Sequence, residues 1–177
     1  MADGDQYELI DSLGSVPFSG IVFRHVGRER DCLSGDGARN RGGRWNPPNS
    51  FPTLYTALTE LTAAAEFRRL SKAQNLDPIG LLPRKVCRLR VALSRVVDLR
   101  KPHNRTVLGL ELIQPDVIVP FQQTGQAVHQ LGLEGLLAPS ATGVGEVLII
   151  YQLNLDAESR VEEDGSLTWR KLTDLPG

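Results

Sequence analysis

The chain has 177 residues, a formal net charge of −1, and 41% hydrophobic and 23% charged residues, which suits one soluble domain with a sizeable core. No apolar run approaches the ~18–20 residues of a membrane helix, and the acidic, polar start is unlike a secretory signal. The near-neutral total gives no general pull towards nucleic acid, and no aromatic-interleaved basic motif suggests RNA.

Charge is unevenly spread. Residues 24–44 carry a net of +3, residues 68–105 a net of +9, and residues 154–177 a net of −3. A basic middle between acidic ends suits a small anionic ligand or an acidic partner. The two cysteines, Cys32 and Cys87, have no close spacing, so no disulfide is expected and a reducing cytoplasm is the default.

In chain order, residues 1–19 read as a loosely attached lead-in. The run from Gly20 to Val26 is rich in β-branched and aromatic residues and reads as a strand, with Ile21, Phe23 and His25 on one face and Val22, Arg24 and Val26 on the other. Residues 27–52 form a long connection without periodicity. At its heart lies Gly42-Gly43-Arg44-Trp45-Asn46-Pro47-Pro48, where glycine freedom and proline stiffness make a shaped loop carrying a cation. Thr53–Thr56 reads as a short strand. Ala57–Leu70 is the strongest helix, with Leu58, Leu61 and Ala65 as its buried stripe and Glu66 on a face with Thr59, Thr62 and Ala63.

Residues 71–83 read as a loop. Val86–Leu93 alternates as a half-buried strand, with Cys87, Leu89, Val91 and Leu93 inward and Arg88 and Arg90 outward, and Val96–Leu99 extends it after a bend. A short helix is expected around Val107–Ile113 and a longer one over Gln122–Leu131. Gly135–Pro139 is a strand that ends at Ser140, and Glu146–Leu153 holds a continuous apolar run suited to a central strand. Asp164-Gly165 is a hairpin signal in the tail.

Much chemistry is absent. Three scattered histidines and two distant cysteines offer no metal-ligand spacing, so no metal is expected. There is no serine-hydrolase elbow, phosphate loop or dinucleotide fingerprint, and no base is placed to activate Cys32. What remains is Arg24, Arg44, Tyr55, Glu66 and a serine at a strand end. Arginine clamps phosphate, tyrosine offers a stacking face, and a carboxylate can hold ribose hydroxyls or stabilise an oxocarbenium-like centre. Together they suit a nucleotide sugar, NAD in particular.

Phe23-Arg24, Leu33-Ser34-Gly35-Asp36-Gly37-Ala38, the Gly42–Pro47 run, Tyr55 and Glu66, with Gly132–Ala141 as a serine motif, resemble the RES-domain family over roughly residues 20–153. The resemblance implies an α+β single domain built on a split, mixed β-sheet flanked by helices, similar to ADP-ribosyltransferases such as diphtheria toxin. Residues 1–19 would precede that domain, and 154–177 would form an acidic extension, a hairpin packed on it. The resemblance also implies a cytoplasmic toxin of a bacterial toxin–antitoxin pair. Such a toxin consumes NAD as substrate by phosphorolysis or hydrolysis of its nicotinamide–ribose bond. Its partners would be a helix-turn-helix antitoxin and, for phosphorolysis, inorganic phosphate, without direct contact to nucleic acid or membrane. Some members of the family transfer ADP-ribose to protein, for which residues 68–105 offer a candidate second surface. A non-catalytic nucleotide-binding protein is the third reading.

Carried over by position, Glu66 would be the catalytic carboxylate, assisted by Arg24 and Tyr55. Arg24, His25, Arg44, Asn46, Tyr55 and Ser140 would bind the dinucleotide. His25 stands where relatives often carry tyrosine, which would bring a group titrating near neutrality. Ser140 is followed by Ala141-Thr142-Gly143 instead of the more usual Ala-Arg, and Thr124 is an alternative source of the hydroxyl.

Overall fold

The computed structural model describes residues 3–111 and 116–177. Six strands form one mixed sheet: β1 (Val16–Gly27), β2 (Thr53–Ala57), β3 (Arg84–Asp98), β4 (Gly135–Pro139), β5 (Glu146–Tyr151) and β6 (Arg160–Trp169), in the order β1-β2-β5-β4-β3-β6. All pairings are antiparallel except β3 with β4. β1 also runs beside β3 along nearly its whole length, so the sheet closes on itself. β1 and β2 meet at one register pair, Phe23 with Ala57. Beyond that pair the strands part, and the gap opens between Arg24-His25 and Tyr55-Thr56.

Alternation explains the long strands. Cys87, Leu89, Val91 and Leu93 are buried while Arg88 and Arg90 are exposed, as the pattern predicts. β5 is buried on both faces from Val147 to Tyr151, which its continuous apolar run requires of a central strand. Inside the closure Val22, Leu54, Leu89, Leu137, Leu148 and Ile150 pack together. A second core, with Val97, Phe121, Val128, Leu136 and Tyr151, joins the sheet to the helical side.

Five α-helices accompany the sheet among the described residues: α1 (Asp3–Leu13), α2 (Asp36–Arg41), α3 (Glu60–Ala73), α4 (Pro102–Val107) and α5 (Val119–Gln130). The lead-in is therefore not loose. α1 seats Ile10 at 1% exposure in the core and donates from Gln6 Nε2 to Thr124 Oγ1 at 2.9 Å on α5. α4 lies earlier than the sequence suggests, with proline in its first turn. Leu112 and Ile113, the end of that expectation, fall outside the described residues.

α3 begins three residues later than its composition predicts, because Ala57 still pairs with Val147 in the sheet and Thr59 caps the helix by accepting the Thr62 N–H. That register turns Ala63, Ala64 and Phe67 inward and leaves Leu61 44% exposed, so the expected stripe of Leu58, Leu61 and Ala65 is corrected. The small alanines let the helix lie close to the sheet, and Phe67 fills the space against Trp169.

The tail is not a hairpin. β6 is one strand paired with β3, and Asp164-Gly165 sit at the register shift opposite Arg88. Gly165 has φ 115°, a backbone angle that suits glycine at a bulge. Asp164 accepts from Arg88 Nη1 at 2.8 Å and Arg90 Nη2 at 3.0 Å, so the turn-like dipeptide serves the ladder instead of reversing it.

Cys32 and Cys87 form a disulfide, contrary to the spacing-based expectation, with Cα atoms 5.8 Å apart across a sequence separation of 55. Cys87 is the register partner of Arg24, and the chain after β1 folds back over it. Loop closure of this length is worth about 2–4 kcal/mol in typical proteins. A double variant, Cys32→Ser with Cys87→Ser, is therefore expected to lose stability of that order against the oxidised parent in urea unfolding. Excess reductant should remove most of the difference.

Candidate active site

The arginine loop is fixed by buried hydrogen bonds. Gly43 and Asn46 form a small bridge, with Gly43 N–H donating to the Asn46 carbonyl at 2.9 Å. Asn46 is fully buried. Its amide donates to the carbonyls of Ala38 at 2.8 Å and Pro47 at 3.1 Å, and its Oδ1 accepts from the Tyr55 hydroxyl at 2.7 Å. The same hydroxyl accepts the Trp45 N–H at 2.8 Å. A Cβ on Gly43 would collide with Tyr55 Oη, so only glycine lets loop and tyrosine approach this closely. Trp45 is buried edge-on against Phe121, and Gln122 Nε2 donates to the Gly43 carbonyl at 2.9 Å. Arg44 emerges from this frame with its guanidinium 3.6 Å from the Phe121 ring centroid, a cation–π contact.

A cleft of about 450 Å³ opens where β1 and β2 separate. Arg24 and His25 line one side, Arg44 and the ring of Tyr55 another, and Glu66 of α3 a third. Five residues expected at the site thus come together. Asn46 and Ser140 do not line the cleft but stand behind it. Asn46 holds the loop. Ser140 Oγ donates to Glu66 Oε1 at 2.7 Å, and the Thr142 hydroxyl lies 2.6 Å from Ser140 Oγ. Thr124 is no substitute, because it is buried on α5 and bonds the Pro120 carbonyl. Thr142 supplies a second hydroxyl, beside that of Ser140.

Three further cations line the cleft that the sequence reading missed: Arg41, Arg69 and Arg84. Arg69 had a legible signal, three residues after Glu66 on one helix face. Arg41 and Arg84 had none, since α2 was unforeseen and Arg84 reaches the cleft only through the β1–β3 register.

The five arginines face one carboxylate among the lining residues. Arg24 is anchored by its Nη1 and Nη2 to the carbonyls of Cys32 at 2.6 Å and Ser34 at 2.8 Å. Burial lowers it to about 10, with Asp31 opposing and Arg84 adding to the shift. Burial, helped by Arg84 and Arg24, holds His25 down to about 3. Its Nδ1 lies 3.0 Å from Arg84 Nη2, a cation with hydrogens only to give, so the neutral ring accepts there. The ring stands edge-on to Phe67 at 5.6 Å. The expectation of a group titrating near neutrality at this position is therefore corrected. Burial raises the Tyr55 phenol, so it too is neutral.

His25 gives a signed pH prediction. Its folded value, about 3, lies below the ~6.5 of an unfolded chain, so on acidification the unfolded state takes up the proton first. The stability tied to this group is complete above ~6.5 and lost as pH falls towards about 3. Unfolding by urea at stepped pH should show a shallower acid loss for His25→Gln than for the parent. An equal slope would place the acid sensitivity elsewhere.

A family model described as the RES domain matches residues 21–170. The protein "NAD(+) phosphorylase MbcT" of Mycobacterium tuberculosis is 36% identical over 149 residues, covering 82% of this chain and 80% of that protein. The protein of the same name from Mycobacterium bovis matches to the same extent. Among solved structures, a chain in the crystal structure of the M. tuberculosis MbcT-MbcA toxin-antitoxin complex superposes with a TM-score of 0.86 at 28% identity, covering 97% of this chain and 96% of that one. The family match runs from within β1 through β6, and it includes every residue that lines the cleft: the chain belongs to the RES domain family.

Proposed function

We propose that this chain is an NAD phosphorylase and the toxin of a toxin–antitoxin pair. The reading is carried by Glu66, a carboxylate held at 2.7 Å by Ser140 inside an arginine-lined cleft. The likeness to "NAD(+) phosphorylase MbcT" over most of both chains supports the same chemistry. The fold is read as ADP-ribosyltransferase-like, on the strength of the sheet that parts between β1 and β2.

In the reaction the bond between ribose C1 and the nicotinamide nitrogen breaks. The electron pair leaves with nicotinamide, which becomes neutral, and a phosphate oxygen bonds to C1. Glu66 stabilises the positive charge that develops on the ribose, because a fixed carboxylate needs no reorganisation at that moment. Ser140 orients it, with Thr142 behind. Arg24 and Arg44 bind the dinucleotide phosphates or ribose, and the Tyr55 ring packs on nicotinamide or its ribose, its hydroxyl being committed to Trp45 and Asn46. His25 adds a neutral ring beside Arg84. Asn46 acts through the loop it locks.

The proposed partner is an antitoxin with a helix-turn-helix domain that covers the cleft, and the proposed place of action is the cytoplasm. Among the described residues no helix is long and apolar enough to cross a membrane. Among them no group of three or more His, Cys, Asp or Glu is placed to hold a metal ion.

Purified chain incubated with NAD and phosphate should release nicotinamide. Glu66→Ala should lower that rate by at least about 10²-fold while keeping the parent's melting behaviour, since alanine suits a helix. Ser140→Ala should cost less, on the order of tenfold, because it misorients the carboxylate without removing it. Undiminished nicotinamide release by Glu66→Ala, or intact NAD with the parent, would sink the reading.

A further inference from the structure

We propose that Arg69 forms a subsite for the acceptor phosphate beside Glu66, adjoining the cations that hold the dinucleotide. The proposal rests on the phosphorylase reading and adds to it where the second substrate sits. Glu66 and Arg69 are three residues apart on α3, so they share a face, and both line the cleft. Arg44 reaches the same region from its locked loop, with its guanidinium on Phe121. Arg44, Tyr55, Glu66 and Arg69 all line this cleft, and the charge of Arg44 is disfavoured by burial and by Arg69 and favoured by Glu66 and Tyr55.

Two of the cations stand at His25: Arg24 precedes it on β1, and Arg84 Nη2 lies 3.0 Å from its Nδ1. Among the described residues Arg84 Nε is buried with no hydrogen-bond partner. Arg69 stands on the α3 face of Glu66. Among the described residues Arg69 has no hydrogen bond or ion pair.

The charges decide what Arg69 is for. NAD brings two negative charges on its diphosphate and one positive charge on its nicotinamide ring. Its diphosphate engages the dinucleotide cations and leaves Arg69. The positive ring, and the oxocarbenium-like ribose that follows, then add to the cations around Glu66, and one carboxylate does not balance them. A phosphate dianion on Arg69 does, and a guanidinium fork suits its oxygens. Water gains nothing there, so the subsite selects phosphate as acceptor. The atoms balance without any further reactant. HPO₄²⁻ forms the new bond from one oxygen to ribose C1, the C1–N pair leaves with nicotinamide, and the products are neutral nicotinamide and ADP-ribose 1″-phosphate.

The test compares the parent with Arg69→Gln and Arg69→Lys at varied phosphate and varied NAD, separating ADP-ribose 1″-phosphate from ADP-ribose by chromatography. Arg69→Gln should raise the KM for phosphate at least about tenfold, with the KM for NAD moving less than about threefold, and should shift product towards ADP-ribose. Arg69→Lys should recover part of the phosphate dependence, a rescue that a purely structural role would not give. An unchanged phosphate KM in Arg69→Gln, or equal rises in both KM values, overturns the subsite and leaves the phosphorylase reading standing. A parent that releases nicotinamide equally with and without phosphate, yielding ADP-ribose alone, overturns both.

Discussion

The hydroxyl of Tyr55 joins the cationic loop to the sheet. It has one hydrogen to give and lone pairs to receive, and both kinds of capacity are used: it donates to Asn46 Oδ1 and accepts from the Trp45 N–H. Tyr55 sits on β2 opposite Ile149 of the buried β5, so the loop inherits its position from the centre of the fold. Losing that hydroxyl would strand a buried amide hydrogen and a buried amide oxygen, each worth about 1–3 kcal/mol. The absence of a Cβ on Gly43 is part of the same junction, because any larger residue would push the loop off the hydroxyl. The aim of Arg44 follows from this lock.

The cleft concentrates positive charge in partly buried space, and burial opposes the charge of Arg24, Arg44 and Arg84 alike. The fold offsets this with groups that do not neutralise the site. Two backbone carbonyls receive Arg24, and a neutral imidazole receives Arg84. Neither contributes a negative charge that would compete with an anionic substrate. The carboxylate that does face the cleft is fixed from behind by Ser140, whose own loop is closed by its N–H to the Gly145 carbonyl at 2.9 Å. A site held this way stays electropositive and rigid before anything binds.

The sequence was informative where structure is local and mute where it depends on distant pairing. β4 runs from Gly135 to Pro139, as its apolar run and bounding residues indicate, and β3 buries the face its alternation names. Arg24, Arg44, Tyr55 and Glu66 could be picked out because polar residues in unusual settings stand out in a sequence. The register of α3 could not be, since it follows from a strand that ends one residue before the cap region and from a threonine cap competing with good helix formers. The disulfide, the bulge at Gly165 and the approach of Arg84 all follow from which strand lies beside β3, and no short motif encodes that neighbour. Asn46 was legible as a polar loop residue, but only tertiary contacts show that it faces inward to Ala38 and Tyr55.

The basic stretch 68–105 shows how the acidic tail shapes the site from outside it. As a sequence this segment suggests a surface for an acidic partner. In the fold much of its charge is met at home: Arg88 and Arg90 pair with Asp164, Arg95 with Asp156, Arg100 with Asp98 and Glu146, and Arg105 with Glu111. Asp98 is held below its usual range chiefly by its hydrogen bond from Arg100. The exposed pairs among these contribute at most about 1 kcal/mol each, so their main effect is on the field and not on stability. Two arginines of the segment that escape neutralisation, Arg69 and Arg84, are the two that line the cleft. By pairing β6 against the outward cations of β3, the chain quiets its outer face and leaves the unbalanced charge beside Glu66, where an anion has something to gain by entering.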